Sequence, residues 1–191
     1  MAVVQLATSA DVVAALGRAL TSDESARVGA ILDQASEAFR RRSGQKFTAS
    51  TNVVRLKVDG GRIYLTQRPV VAVTTVVDDA GVPVPYTRVG QWLTLTTYAD
   101  ATTFLTVSYT AGGTVPDDVR LCVADIARRV LLVADEALEG RTQFAHTEGP
   151  FTDSGTLAAW AVGGQTILSP NDLALADWYR VKVPTLRVMT Q

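Results

Sequence analysis

His146 is the single histidine of the chain, and Asp153 and Ser154 follow it within eight residues. An imidazole can accept a proton near neutral pH without any shift of its pKa, so these three residue types supply the parts of a Ser/His/Asp hydrolase. The geometry that chemistry needs is missing from the pattern. No G-x-S-x-G surrounds Ser154, and no strand–turn–helix signal flanks it to hold a nucleophile rigid. A loop histidine meeting backbone or a neighbouring chain is the better reading. Cys122 is the only cysteine, which excludes an intramolecular disulfide, and one Cys with one His cannot build a Cys/His zinc site. It falls on the apolar stripe of a helix, where a small core residue is expected. Arg40-Arg41-Arg42 is the one basic run. Cations complement the negative end of a helix dipole, and contact with an acidic partner or phosphate is the other use of such a run. Gly60-Gly61, Gly112-Gly113 and Gly163-Gly164 are not followed by the Lys-Ser/Thr of a phosphate loop and read as hairpin and hinge glycines. No carboxylate pair stands out. Neither catalysis, a cofactor nor a metal is therefore expected.

Composition narrows the class. At 191 residues the chain predicts one domain, or one carrying an insertion. The net charge of -1 argues against a general nucleic-acid binder, and the 47% apolar content suffices for a core. Charge is uneven: +1 over residues 1–46, +1 over 47–115 and -3 over 116–191. No apolar run reaches the roughly 18 residues of a membrane span, and no basic stretch precedes the first apolar residues as in a signal peptide. A soluble protein made in the cytoplasm, with no membrane partner, is expected.

The elements that would position these residues follow from periodicity. Thr8 with Asp11 caps a short helix, and Thr21-Ser22-Asp23-Glu24 has capping-box spacing for a second. Behind it Val28, Ile31, Leu32, Ala35, Ala38 and Phe39 form one stripe that Gly44 ends. The period then shortens. Val54, Leu56 and Val58 alternate with Arg55 and Lys57, Asp59-Gly60-Gly61 turns into strand 62–66, and 69–77 is almost continuous Val, Ala and Thr. Asp78-Asp79-Ala80-Gly81 predicts a hairpin into 82–88, with strands 92–97 and 103–109 beyond it. Six short strands suggest an antiparallel sandwich or small barrel. Helix returns at Pro116 with Asp117 and Asp118 at its positive end, and runs to Gly140. Its stripe is Val119, Cys122, Val123, Ile126, Val130, Val133 and Ala137, while Leu121 and Leu132 add a second apolar side. Residues 141–168 read as a long loop with Phe144, Phe151 and Trp160, and Ser169-Pro170-Asn171-Asp172 opens a last helix. The tail 181–191 alternates through Val181 and Val183, then Leu186 and Val188, across Pro184.

The predicted fold class is α+β. A helical body, 1–46 and 116–191, carries the long loop and the tail, and an inserted β domain spans 47–115. Apolar residues placed like these usually exist to be covered by a partner. Leu121, Leu132, Phe144, Phe151 and Trp160 are the candidate subunit-interface residues.

The helix pair carrying Ala10-Asp11-Val12-Val13-Ala14-Ala15-Leu16-Gly17 resembles the start of tailed-phage head-to-tail adaptor (head–tail connector) proteins. So do Val54-Arg55-Leu56-Lys57-Val58 with Arg62-Ile63-Tyr64-Leu65 and Gln67-Arg68-Pro69-Val70. The join Tyr109-Thr110-Ala111-Gly112-Gly113 to Val115-Pro116-Asp117-Asp118, the stretch Thr147-Glu148-Gly149-Pro150-Phe151 and Asp177-Trp178-Tyr179-Arg180 are similar to later parts of that family. The resemblance covers most of residues 8–180. It implies a structural protein of the virion neck, forming a ring of usually twelve copies below the portal protein. That ring extends the DNA channel, through which DNA passes without sequence-specific binding, and joins the head to stopper or tail proteins. The tail residues Val181, Val183, Leu186 and Val188 would reach the portal by strand addition. Ring closure calls for two different faces of one chain. A stopper or tail-terminator ring protein, lacking the helix pair, is the nearest alternative. A small hydrolase using Ser154 and His146 and a ligand-binding β-barrel module are the more distant ones.

Overall fold

Thr8 begins the first helix as its sequence requires. Its hydroxyl accepts from the Asp11 N–H while the Asp11 carboxylate accepts from the Thr8 N–H at 2.8 Å, a closed capping box at the head of α1 (Ser9–Leu16). The same device recurs at α2 (Ser22–Ser43), where the Thr21 N–H donates to Glu24 at 2.8 Å and the Glu24 N–H donates to the Thr21 hydroxyl at 3.3 Å. The computed structural model describes residues 4–97, 103–132, 143–148, 151–156 and 168–180, with 143–156 described by backbone alone. Among them are four helices, two three-stranded antiparallel sheets and a two-stranded hairpin.

The chain divides into two compact units, Met1–Arg42 with Pro116–Trp178, and Ser43–Val115 with Tyr179–Gln191. The first unit is helical. The predicted α2 stripe is its core: Val28, Ile31, Leu32, Ala35 and Phe39 are buried, together with Leu6, Ala7 and Val12. Hydrogen bonds hold the segment before α1 against α2, from Leu6 N–H to the Ser36 hydroxyl at 3.0 Å and from the Gln5 amide to Asp33 at 2.9 Å. Helix α3 (Asp117–Leu131) buries Val119, Val123, Ala124, Ile126 and Ala127. Two alanines on this face let a neighbouring helix approach closely, and α1 packs on α3. Helix α4 (Pro170–Tyr179) completes the helices. The third capping box stands at its head, where the Ser169 N–H donates to Asp172 at 2.7 Å and the Asp172 N–H donates back to the Ser169 hydroxyl.

The second unit is a six-strand β structure formed by β1 (Ser50–Lys57), β2 (Arg62–Tyr64), β3 (Val70–Val77), β4 (Tyr86–Val89), β5 (Trp92–Leu95) and β6 (Phe104–Ala111). One sheet has the order β1-β6-β3 and the other β2-β5-β4. They share one core, including Val58, Leu65, Leu93, Leu105, Val107 and the fully buried Tyr109. No closed barrel forms among the described residues, so the sandwich half of the expectation applies. Gly112, at φ 84°, marks the exit from β6: a Cβ there would stand 2.2 Å from the Thr48 carbonyl oxygen, so only glycine fits.

Three expectations need correction. Residues 82–88 pair with β3 only through a single antiparallel bridge, Val77 with Pro83, and not as a strand. Asp78 closes the turn by accepting from the N–H groups of Ala80 and Val82, but Pro83 and Pro85 have no N–H to extend a ladder. After two backbone bonds, from the Asp78 N–H to the Val82 carbonyl at 3.0 Å and from the Val84 N–H to the Val76 carbonyl at 2.9 Å, the chain enters the other sheet as β4. The predicted helix is interrupted after Leu131, with Leu132 as its C-cap, and its predicted remainder to 139 lies outside the described residues. Residues 141–168 are not all loop, because β7 (Gln143–Glu148) and β8 (Phe151–Thr156) pair as a hairpin.

Candidate interaction surfaces

Helix α3 presents two sides. Opposite its buried face, Leu121 and Leu132 are 57% and 51% exposed. Positions 121, 125, 128 and 132 are spaced four, three and four apart, so they form one stripe. Between the leucines that stripe holds Asp125 and Arg128, paired at 2.8 Å. It is an apolar–charged–apolar surface about 16 Å long at the usual helical rise. Trp178 of α4, 78% exposed, is the largest exposed apolar side chain of the described residues, and the apolar periodicity of 173–179 did not single it out.

Phe144 and Phe151 lie in the hairpin, where register sets Phe144 opposite Gly155 and Phe151 opposite Glu148. His146 stands opposite Asp153, and Ser154 stands opposite Ala145, so the backbone does not place Ser154 and His146 in one cross-strand pair. Trp160 and the tail residues Val181, Val183, Leu186 and Val188 lie outside the described residues.

The remaining chemistry-bearing groups have internal duties. Arg40 pairs with Glu37 and donates to the Val4 carbonyl, and Arg42 pairs with Asp177 of α4, so two members of the arginine run tie elements of the helical unit together. Cys122 is half-buried, and its thiol donates to Asp172 at 3.4 Å. Burial first, then the Asp172 charge, pushes that thiol up to about 12, which leaves no thiolate for nucleophilic work. Asp172 also pairs with Arg129 of α3. Burial opposes its charge, but Arg129 and the Ser169 N–H outweigh that and hold the carboxyl below the usual carboxylate value. Asp11 is held down in the same way, by Thr8 and Arg120 against burial, and Arg120 thereby joins α3 to α1.

In the β unit, the motif Gln67-Arg68-Pro69-Val70 works with Gln45. The Gln45 amide donates to the Thr66 carbonyl at 2.9 Å and its oxygen accepts from the Arg68 N–H at 3.0 Å. Gln67 donates to the Gly44 carbonyl at 2.7 Å and accepts from the Lys46 N–H at 2.9 Å. Gln45 is 1% exposed, a buried polar residue that sequence reasoning missed. Two glutamines flanking a period change were its only signal. Among the described residues no group of three or more His, Cys, Asp or Glu side chains could hold a metal ion, and no helix is long and apolar enough to cross a membrane.

No protein-family model and no curated protein matches the sequence. A solved structure is similar: a chain from the neck of an empty GTA (gene transfer agent) particle, computed with C6 symmetry. The superposition has a TM-score of 0.55 at 20% identity and covers 96% of this chain and 94% of that one. At that identity the likeness shows a shared fold.

Proposed function

We propose that this chain is a structural protein of a phage-type particle neck, a head-to-tail adaptor that forms a ring below the portal. The observation that carries the reading is the shared fold with a neck chain over nearly the whole of both molecules. It fits the family resemblance of residues 8–180, which was drawn from separate sequence segments. The α1–α2 pair favours the adaptor over a stopper or tail terminator, which the resemblance gives no such pair. A ring of twelve copies contains the sixfold axis imposed on the similar neck. In this reading Leu121 and Leu132 lie on one ring face, and Phe144, Phe151 and Trp160 belong to the segment that supplies the other. The tail docks on the portal, and DNA passes through the channel without sequence-specific contacts. The protein is non-enzymatic and sits in the virion.

Negative-stain images of the purified chain, alone and mixed with the portal of its particle, test this. Rings with a central hole on the portal are expected. A portal that stays bare at saturating protein overturns the adaptor role.

A further inference from the structure

The β1-β6-β3 sheet has two edges, and the protein treats them differently. The β3 edge is closed. The carbonyls of Val70 and Val71 accept from the Arg88 guanidinium at 2.6 and 2.9 Å, Val73 accepts from the Tyr86 hydroxyl at 3.3 Å, and Val76 accepts from the Val84 N–H at 2.9 Å. Among the described residues the β1 edge is open. The Val58 N–H donates to the Thr103 carbonyl at 2.9 Å, and this sets the phase of the ladder. In an antiparallel pair, residues alternate between bonding inward and facing away. The N–H and C=O groups of Thr51, Val53, Arg55 and Lys57 therefore point off the sheet. Among the described residues none of them meets a partner. A long open edge is a template for another strand.

The hairpin β7–β8 has the complementary deficiency. Its two six-residue strands pair only with each other among the described residues, and a two-stranded sheet is marginal in water without a further strand or packing. Charge matches at Lys57 of the open edge, since residues 143–156 carry Glu148 and Asp153 and no lysine or arginine; Arg55 of the same edge is already paired with Asp79 at 2.7 Å.

Resting on the ring reading above, we infer that the open β1 edge of one copy takes the β7–β8 hairpin of the next copy as an added strand pair. Two different edges meet, so the contact is head-to-tail and can propagate around a ring. A β1–β1 contact between two copies would use up the same edge on both and stop at a dimer.

Disulfide trapping separates these possibilities. Thr51→Cys is combined in turn with Thr152→Cys, Ser154→Cys or Thr156→Cys. The chains are oxidised at high concentration and run on a non-reducing gel beside each single variant. At least one double variant is expected to give trimers and larger species, whereas single variants stop at dimers. If no double variant passes the dimer while the wild-type chain forms rings on the portal, the edge pairing is overturned and the ring stands. If rings are also absent, both are overturned. Val53→Pro, added to the multimer-forming variant, removes an outward-facing N–H and leaves the β1–β6 bonds intact. It is expected to cut multimers about tenfold, the worth of one net hydrogen bond. Undiminished multimers from a variant that still melts cooperatively also overturn the pairing.

Discussion

Asp172 is the residue through which α3 and α4 of the helical unit are joined. It caps α4 through Ser169, pairs with Arg129 of α3 and accepts from the Cys122 thiol. Its carboxyl is held below the ordinary value, so its contribution to stability is complete above the unfolded pKa of about 3.9 and is lost as the pH falls through the lower folded value. Asp172→Asn keeps the shape, removes the charge and leaves Arg129 with the more distant carboxylate of Asp125, at 3.4 Å. A loss of about 1–3 kcal/mol at pH 7 is expected by urea unfolding. The gap between wild type and variant should narrow at pH 3, and a gap of undiminished size there would show that the charge is not what stabilises. Glu24, brought to about 2 by Arg18 and the Thr21 N–H, titrates in the same window in both proteins and cancels in the difference. Of this cluster only the Ser169–Asp172 spacing was legible in the sequence. Arg129 and Cys122 lie 43 and 50 residues away, and only folding brings them to it.

Elements with a strong period were readable, and those without one were not. The α2 stripe and the second side of α3 are plain because an apolar residue every three or four positions leaves few other structures. Leu121 and Leu132 stand exposed where that pattern places them. Replacing both with Asp is expected to change the stability of the isolated chain by no more than about 0.5 kcal/mol, since neither is buried. The same double variant should fail to form rings on the portal. Sedimentation and thermal melting of one sample measure both effects, and normal rings would remove α3 from the interface. The hairpin 143–156 escaped notice for a physical reason. Gln143-Phe144-Ala145-His146-Thr147-Glu148 neither alternates in polarity nor is rich in β-branched residues, so backbone pairing is its only signature. The 82–88 strand failed in the opposite way. Val82 and Val84 promise a strand, and the prolines between and after them withdraw the N–H groups it would need.

Across the whole chain, the two-unit division makes the β structure an insertion between α2 and α3, with 43–115 leaving and rejoining a helical unit formed by 1–42 and 116–178. Deleting residues 181–191 is expected to leave far-UV dichroism and the unfolding midpoint close to wild type while abolishing co-purification with the portal. Attachment that survives the deletion would move the portal contact elsewhere in the chain.

Local and periodic features were determined by the sequence itself: three helix caps, the apolar stripes and five of the six short strands of the β unit. Each depends on residues within a few positions of one another, where backbone geometry alone links side chain to structure. Tertiary structure decided which strands share a sheet, which sheet edge was closed by Arg88 and Tyr86, and where Arg42, Arg120 and Arg129 found their carboxylates. Those pairings join residues tens of positions apart. They are selected by the burial of a common core and by the satisfaction of every backbone group within it, a competition that no short stretch of sequence contains.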